Sequence, residues 1–162
     1  MLQRFILVGV VLALGAVPVV AGAQTSVGGG VPSFMQLSVA EPNGFGSFPK
    51  GASTHTYSLK VGAQVTATDY PITMSISDGN DSSGTRHGHL VSGSSVMPAA
   101  LQVSGGSAWL GLDGSADPTL AHWSAPVSHV PATIRLRQQV GGAGPRSGYH
   151  KLLLVTISAE SP

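Results

Sequence analysis

Two histidines and several carboxylates in the middle of the chain have the residue types of a metal site. His87 and His89 form an H-x-H pair, which on a β-strand would place both rings on the same side, as some metal sites require. A third ligand would have to come through the fold, from the set Asp78, Asp81, His122 and His129. Because loop roles explain the same residues, the sequence predicts no metal site and leaves this ligand set as an alternative.

The segment DGNDSSG, residues 78–84, partly matches a calcium-binding loop. Asp78 and Asn80 occupy the first and third positions of the EF-hand pattern. Ser83 stands where the pattern requires Gly, and His89 stands where it requires a bidentate Glu. The turn-forming tendencies of Asp and Gly are sufficient to explain the segment as a loop between strands.

The common catalytic motifs are missing from the sequence. There is no G-x-S-x-G elbow, no β-lactamase set around an S-x-x-K, and no H-E-x-x-H. The chain has 0 cysteines, which excludes disulfides and thiol catalysis together. The sequence therefore predicts a non-enzymatic protein with no catalytic residues and no cofactor.

The N-terminal segment has the layout of a secretory signal. Arg4 supplies the positive charge, residues 5–20 the apolar stretch, and residues 21–23 an A-x-A cleavage site. We therefore expect residues 1–23 to be a signal peptide and the protein to be secreted or extracellular, beginning at Gln24. An uncleaved membrane anchor is the alternative.

Charge is sparse along the chain. Eight Lys and Arg stand against seven Asp and Glu, and only 9% of residues are charged. No basic run marks a nucleic-acid surface, so no nucleic-acid partner is predicted, and no membrane span is expected after signal cleavage. Such a weakly charged surface favours association with an unknown protein or cell-wall partner, or with a second copy.

After a Gly-rich linker over residues 24–32, apolar and polar residues alternate with a period of two. The alternation is clearest in residues 56–69 and 72–77, and it returns in residues 132–140 and 149–158. The 22 glycines and 11 prolines leave little room for an amphipathic helix. The pattern predicts one all-β domain, an antiparallel sandwich with one face of each strand buried.

The two C-terminal strands are predicted to pair with each other. A Gly- and Pro-rich loop, residues 141–148, joins them, and an antiparallel pair is the simplest arrangement. In the last strand Leu152 and Leu154 alternate with an inner face that includes Leu153 and Val155. The two leucines either lie on a strand covered on both sides, or are exposed singly, or form an apolar patch for a partner.

Three further side chains have alternative interpretations. Gln138 shares a face with apolar neighbours, so we expect its amide to bond loop backbone inside the core rather than a ligand. Trp109 and Trp123 are expected in the core, with a sugar-stacking platform as the alternative.

Four segments resemble, in order, the domains of uncharacterised secreted actinobacterial proteins with immunoglobulin-like β-sandwich domains. They are the GHL and SG residues within 88–93, the W and PVS residues within 123–128, Ile134–Gln138, and a final strand over residues 148–158. In that family the final strand reads YSKTLTFTLS, and here it reads YHKLLLVTIS.

The resemblance implies an immunoglobulin-like sandwich of about seven to nine strands over residues 33–162, exported and without catalytic residues. Leu152 and Leu154 stand where the family has outward threonines, which makes them candidate partner contacts. The sequence thus predicts a non-enzymatic exported structural or interaction module, at the cell surface or in the extracellular matrix and retained there, if at all, without a covalent link. The alternative is a small carbohydrate- or metal-ion-binding domain that uses the loops around residues 78–89 and 123.

Overall fold

The structure is a computed structural model that describes residues 33–48, 53–106, 108–141 and 148–160. The predicted signal peptide and the linker over residues 24–32 lie outside the described residues. Within the described residues every regular secondary-structure element is a β-strand. That part of the chain holds no helix with the length and hydropathy needed to cross a bilayer.

The described residues form ten strands, seven with three or more residues and three with two. In chain order they are β1 (Met35–Val39), β2 (His55–Ala67), β3 (Ile72–Asp78), β4 (Val91–Ser92), β5 (Ser95–Val96), β6 (Gln102–Ser104), β7 (Leu110–Gly111), β8 (Thr119–Trp123), β9 (Val127–Val140) and β10 (Leu153–Ala159). Every ladder between them is antiparallel. The predicted all-β antiparallel fold is confirmed.

The strands are arranged in two main sheets. The larger has the order β1-β2-β9-β6-β7, the smaller has the order β10-β3-β8, and β4 and β5 form a separate short pair. The long ladder of the larger sheet joins β2 to β9, from His55 opposite Val140 to Ala67 opposite Val127.

The core is built from the inward faces that the alternation predicts. In β3 Ile72, Met74 and Ile76 are buried, and the residues between them are partly exposed. Val65 of β2 and Ile134 of β9 are buried in the same hydrophobic cluster. Because alternate side chains of a strand point to opposite faces, each sheet buries one apolar face against the other and leaves a polar face outside.

The predicted pairing of the two C-terminal strands is wrong. β9 lies between β2 and β6 in the larger sheet, whereas β10 pairs with β3 in the smaller one, from Leu153 opposite Asp78 to Ala159 opposite Ile72. Both strands have one apolar face, and either sheet of the sandwich can bury such a face equally well. Sheets pack about 10 Å apart, so the connection over residues 141–148 is long enough to cross from one layer to the other.

Candidate functional site

The loop after β3 is organised around the carboxylate of Asp78, whose side chain is 0% exposed. Its Oδ1 accepts hydrogen bonds from the backbone N–H groups of Asn80 and Asp81 at 3.0 and 3.1 Å. Its Oδ2 accepts from the N–H of Gly88 at 2.8 Å and from Lys151 Nζ at 2.5 Å. A carboxylate has about four acceptor positions, so those of Asp78 are all used.

The carboxylate of Asp78 is paired with the buried ammonium group of Lys151, whose side chain is 1% exposed. Besides Asp78, this ammonium group donates to Asp81 Oδ2 at 2.8 Å and to the carbonyl oxygen of Arg86 at 2.9 Å. An ammonium group has three N–H donors, and each has an acceptor here. Burial alone would raise the pKa of Asp78, but the hydrogen bonds from Lys151 and the backbone outweigh it and lower that pKa below its ordinary value.

His87 closes the loop with both nitrogens of its ring. Nδ1 lies 2.6 Å from the carbonyl oxygen of Asp81, and Nε2 lies 3.2 Å from that of Gly114. Since a carbonyl oxygen only accepts, both bonds form only when the ring carries two protons. The bond to Asp81 is the main reason that the pKa of His87 is raised, and the bond to Gly114 and the carboxylate of Asp78 add to it.

Gly88 is required at its position for two separate reasons. Its φ is +73°, a left-handed backbone conformation that is unfavourable for residues with a Cβ atom. A Cβ atom at this position would lie 2.3 Å from the backbone nitrogen of Asp113, so the neighbouring turn leaves no room for one. The N–H that bonds Asp78 therefore comes from a site that only glycine fits.

The H-x-H pair lies in the loop and not on a strand, so the strand geometry that a metal site would use is not formed. His87 lies in a turn and His89 in the bend that follows it, and His89 Nδ1 lies 2.7 Å from the carbonyl oxygen of Met97. The two rings therefore serve different parts of the loop backbone. Within the described residues no three His, Cys, Asp or Glu side chains are grouped as a metal site would need.

The other two histidines of the proposed ligand set lie elsewhere. His122 is on β8 opposite Thr73, with Nε2 3.5 Å from Glu160 Oε1. His129 lies at a β-bulge of β9, with a φ of 52°, and its N–H donates to Thr66 Oγ1 at 3.0 Å. Neither is positioned to join His87 in one site.

Trp123 and the loop of Asp78 lie at opposite ends of β3. Trp123 is opposite Ile72, the first residue of β3, and Asp78 is its last. At about 3.3 Å per residue, six steps along a strand separate them by about 20 Å. Trp123 and the loop of Asp78 therefore do not meet in one place, and Trp123 packs against the hydrophobic core, as expected.

Gln138 is a core amide, as the sequence predicts. Its side chain is fully buried, and Nε2 donates to the carbonyl oxygens of Ala99 and Gln139, both at 2.9 Å. The bond to Ala99 holds the loop before β6 against β9. Its Oε1 is buried and has no partner among the described residues.

β10 is an edge strand, and its outer face carries the two candidate leucines. Leu152, just before the strand, is 59% exposed, and Leu154 is 56% exposed. Leu153, Val155 and Ile157 point inward and pack against the core. The alternative in which the strand is covered on both faces is therefore wrong.

An apolar cleft opens between the two layers beside the segment that leads into β10. It measures about 380 Å³, and its walls include Phe45 and Phe48 on one side and Tyr149 and Leu153 on the other. Lys151 also lines it, but its ammonium group is already saturated by the loop of Asp78.

Trp109 lies outside the core, contrary to expectation. The guanidinium carbon of Arg137 is 4.3 Å from the ring centroid of Trp109, and that of Arg135 is 5.4 Å away. Arg135 and Arg137 are on the outward face of β9, because Ile134 and Leu136 point inward. The pattern gave no signal for this contact, since Trp109 is distant in sequence from both arginines.

No known family model, curated protein or solved structure matches this chain. The resemblance to secreted actinobacterial proteins and the immunoglobulin-like topology stay predictions. Function is therefore inferred from the residues of the chain itself.

Proposed function

We propose that this protein is an exported, non-enzymatic interaction module of the cell surface or extracellular matrix, and that it self-associates by strand addition at β10. Export is supported by the signal-like pattern of residues 1–23. The observation that carries the proposal is the second edge of β10, to which no strand of the described residues is hydrogen-bonded.

One edge of β10 is bonded to β3, and within the described residues no strand pairs with the other edge. Gly79 N–H donates to the Leu152 carbonyl at 2.9 Å, and Glu160 N–H donates to the Pro71 carbonyl at 2.9 Å. In an antiparallel ladder every second residue directs its N–H and C=O groups to the partner strand. In β10 these residues include Leu154, which lies two positions after Leu152. The residues between them, such as Val155 and Ile157, therefore direct N–H and C=O groups away from β3.

The usual protection of an edge strand is missing from β10. Proteins block such edges with charged residues, Pro, bulges or short strands. The seven residues of β10 read LLVTISA, and their register with β3 is uninterrupted. The opposite edge of the same sheet, β8, follows Pro118 and has a register shift between Met74 and Ser75 of its partner strand.

Leu152 and Leu154 add an apolar contribution to such a contact. Full burial of a leucine contributes about 1.5–3 kcal/mol, so the exposed parts of the two would contribute about 2–3 kcal/mol together. That is less than the roughly 8 kcal/mol of a micromolar complex. Backbone pairing along the edge therefore has to supply much of the affinity.

A non-enzymatic role is supported by the state of the acidic and basic groups around the loop. Asp78 and Lys151 are buried and hydrogen-bonded to saturation, so neither is free to bind or protonate a substrate. Their geometry is that of a structural ion pair.

The test is sedimentation of the purified chain from Gln24 over a wide concentration range. We expect reversible dimerisation, weakened when Leu154→Lys places a charge on the face of β10. Gln64→Lys, which adds the same charge to an exposed position of the interior strand β2, should dimerise as the unmodified chain does. A chain that stays monomeric at every concentration, or one that both substitutions weaken equally, would overturn strand addition by a second copy.

A further inference from the structure

The outer face of the larger sheet gathers three cations from two neighbouring strands. Lys60 of β2 is directly opposite Arg135 of β9, and Arg137 lies two residues further along β9. Neighbours of this kind are about 5–7 Å apart on one face of a sheet. We call Lys60, Arg135, Arg137 and the adjoining Trp109 the cationic face.

Carboxylates do not neutralise this surface. None of the seven acidic residues of the chain lies on β1, β2, β9, β6 or β7. Among the described residues the carboxylates form ion pairs with Arg86, His87, His122 and Lys151, and none pairs with the cationic face. Like charges placed opposite each other in a sheet are destabilising, so the repulsion between Lys60 and Arg135 opposes the stability of the fold.

Both guanidinium groups are held in place by neighbouring side chains. Arg137 Nε donates to Gln102 Oε1 at 2.7 Å, and Arg135 Nη2 donates to the buried Ser104 Oγ at 3.1 Å. Trp109 stacks against both. A guanidinium group has five N–H donors, so most of those in each arginine have no acceptor among the described residues.

The chemistry of this surface fits an anionic partner that also presents hydroxyl groups. An ordered guanidinium fork binds carboxylate, sulfate or phosphate through two parallel hydrogen bonds, and little side-chain freedom remains to be lost on binding. Exposed neighbours on the same face carry hydroxyl and amide side chains, namely Thr56, Ser58 and Gln139. Such side chains donate to and accept from sugar hydroxyls.

We infer that the cationic face binds an acidic polysaccharide, with Arg135 and Arg137 pairing with its carboxylate or sulfate groups. A nucleic acid is less well matched, because single-stranded binding relies on open aromatic faces and Trp109 is stacked against guanidinium groups. The site is separate from the edge of β10, so it is independent of the proposed self-association.

The test measures binding of the purified chain to polygalacturonate, dextran sulfate, neutral dextran and single-stranded DNA. We expect binding to one or both acidic polysaccharides that weakens as salt is added, and none to neutral dextran. Polygalacturonate and dextran sulfate distinguish a carboxylate ligand from a sulfate ligand. No binding to either, equal binding to dextran, or tighter binding to DNA would overturn the inference.

Substitutions locate the site. Arg137→Gln should weaken polysaccharide binding about tenfold or more, because it removes a charge-assisted hydrogen-bonding group. Arg86→Gln removes an equal charge from an exposed loop position and should leave binding unchanged, as should Leu154→Lys. Lys60→Gln, which leaves the Trp109 contacts intact, provides a second variant should Arg137→Gln fold poorly. Equal losses for Arg137→Gln and Arg86→Gln would indicate a non-specific charge effect and contradict the inference.

Discussion

Two groups of charged side chains in this small molecule are opposite in character. In the loop after β3, Lys151 is 1% exposed, and its three donors are used by Asp78, Asp81 and Arg86. On the outer face of the larger sheet, Arg135 and Arg137 are partly exposed and lack carboxylate partners among the described residues.

The difference separates charge that holds the fold from charge available to a ligand. Removing one partner of a buried ion pair leaves an uncompensated charge inside the protein. Removing an exposed cation leaves no buried charge, because solvent takes its place. Substitutions in the loop should therefore change stability, and those on the cationic face should change binding.

The largest effect is expected for Lys151→Met. It leaves the buried carboxylate of Asp78 without its cation, and we expect a loss of about 3–5 kcal/mol in the free energy of unfolding. Urea unfolding followed by circular dichroism measures it. Lys60→Met, an equal change at an exposed position, should stay within about 0.5 kcal/mol of the unmodified chain. Equal losses in the two variants would remove the distinction between the two groups.

Gly88→Ala should be nearly as damaging, by about 3 kcal/mol or more, because it adds backbone strain and a clash with the turn at Asp113. Gly84→Ala is the matched control. Its φ is +85° but the space around it is open, so only strain of about 1–2 kcal/mol is expected. Thermal unfolding of both variants checks this. If Gly88→Ala loses no more than the control, close packing of the loop against Asp113 is contradicted.

A smaller effect is expected from pH through His87. Its pKa is raised in the folded state, so its contribution is complete below its unfolded pKa of about 6.5 and is lost as pH rises through the folded value. The free energy of unfolding should therefore fall as pH rises above about 6.5, and His87→Gln should reduce that fall. His55→Gln, at an exposed position at the start of β2, should not. An unchanged profile in His87→Gln would show that the ring is neutral in the fold.

Acid should act on the same loop through Asp78. Its pKa is lowered in the folded state, so its contribution is complete above the ordinary value of 3.8 and is lost as pH falls below it. Asp78→Asn should flatten the acid limb of the stability profile, and Asp117→Asn, at an exposed turn, should leave it unchanged. An acid limb as steep in Asp78→Asn as in the unmodified chain would contradict the assignment.

The smallest effect on stability is expected for Arg137→Gln. Its contact with Trp109 contributes about 0.5–1 kcal/mol at a partly exposed site, and the loss is offset by relief of repulsion from Arg135. Urea unfolding should give a change below about 1 kcal/mol. A loss comparable to that of Lys151→Met would show that the cationic face is structural.

The inner and outer faces of β2, β3 and β9 follow from the alternation of residues such as Val65, Met74 and Ile134. This pattern is local, because successive side chains of a strand point to opposite sides whatever the strand pairs with. The same pattern carries no information on which sheet a strand joins, and so the predicted pairing of the last two strands is wrong.

The candidate site was predictable only in part. The exposure of Leu152 and Leu154 follows one of the alternatives left open by the pattern. The position of Trp109 beside two arginines could not be predicted, because it depends on how β6, β7 and β9 are aligned.

The sequence by itself determined an all-β chain with one apolar and one polar face per strand, because the alternation of apolar and polar residues depends only on neighbouring positions. The tertiary structure decided that Lys151 would neutralise Asp78, that β10 would lie at an edge, and that Lys60 would face Arg135. These outcomes depend on strand order and register, which join residues distant along the chain through backbone hydrogen bonds that are alike for almost every residue type.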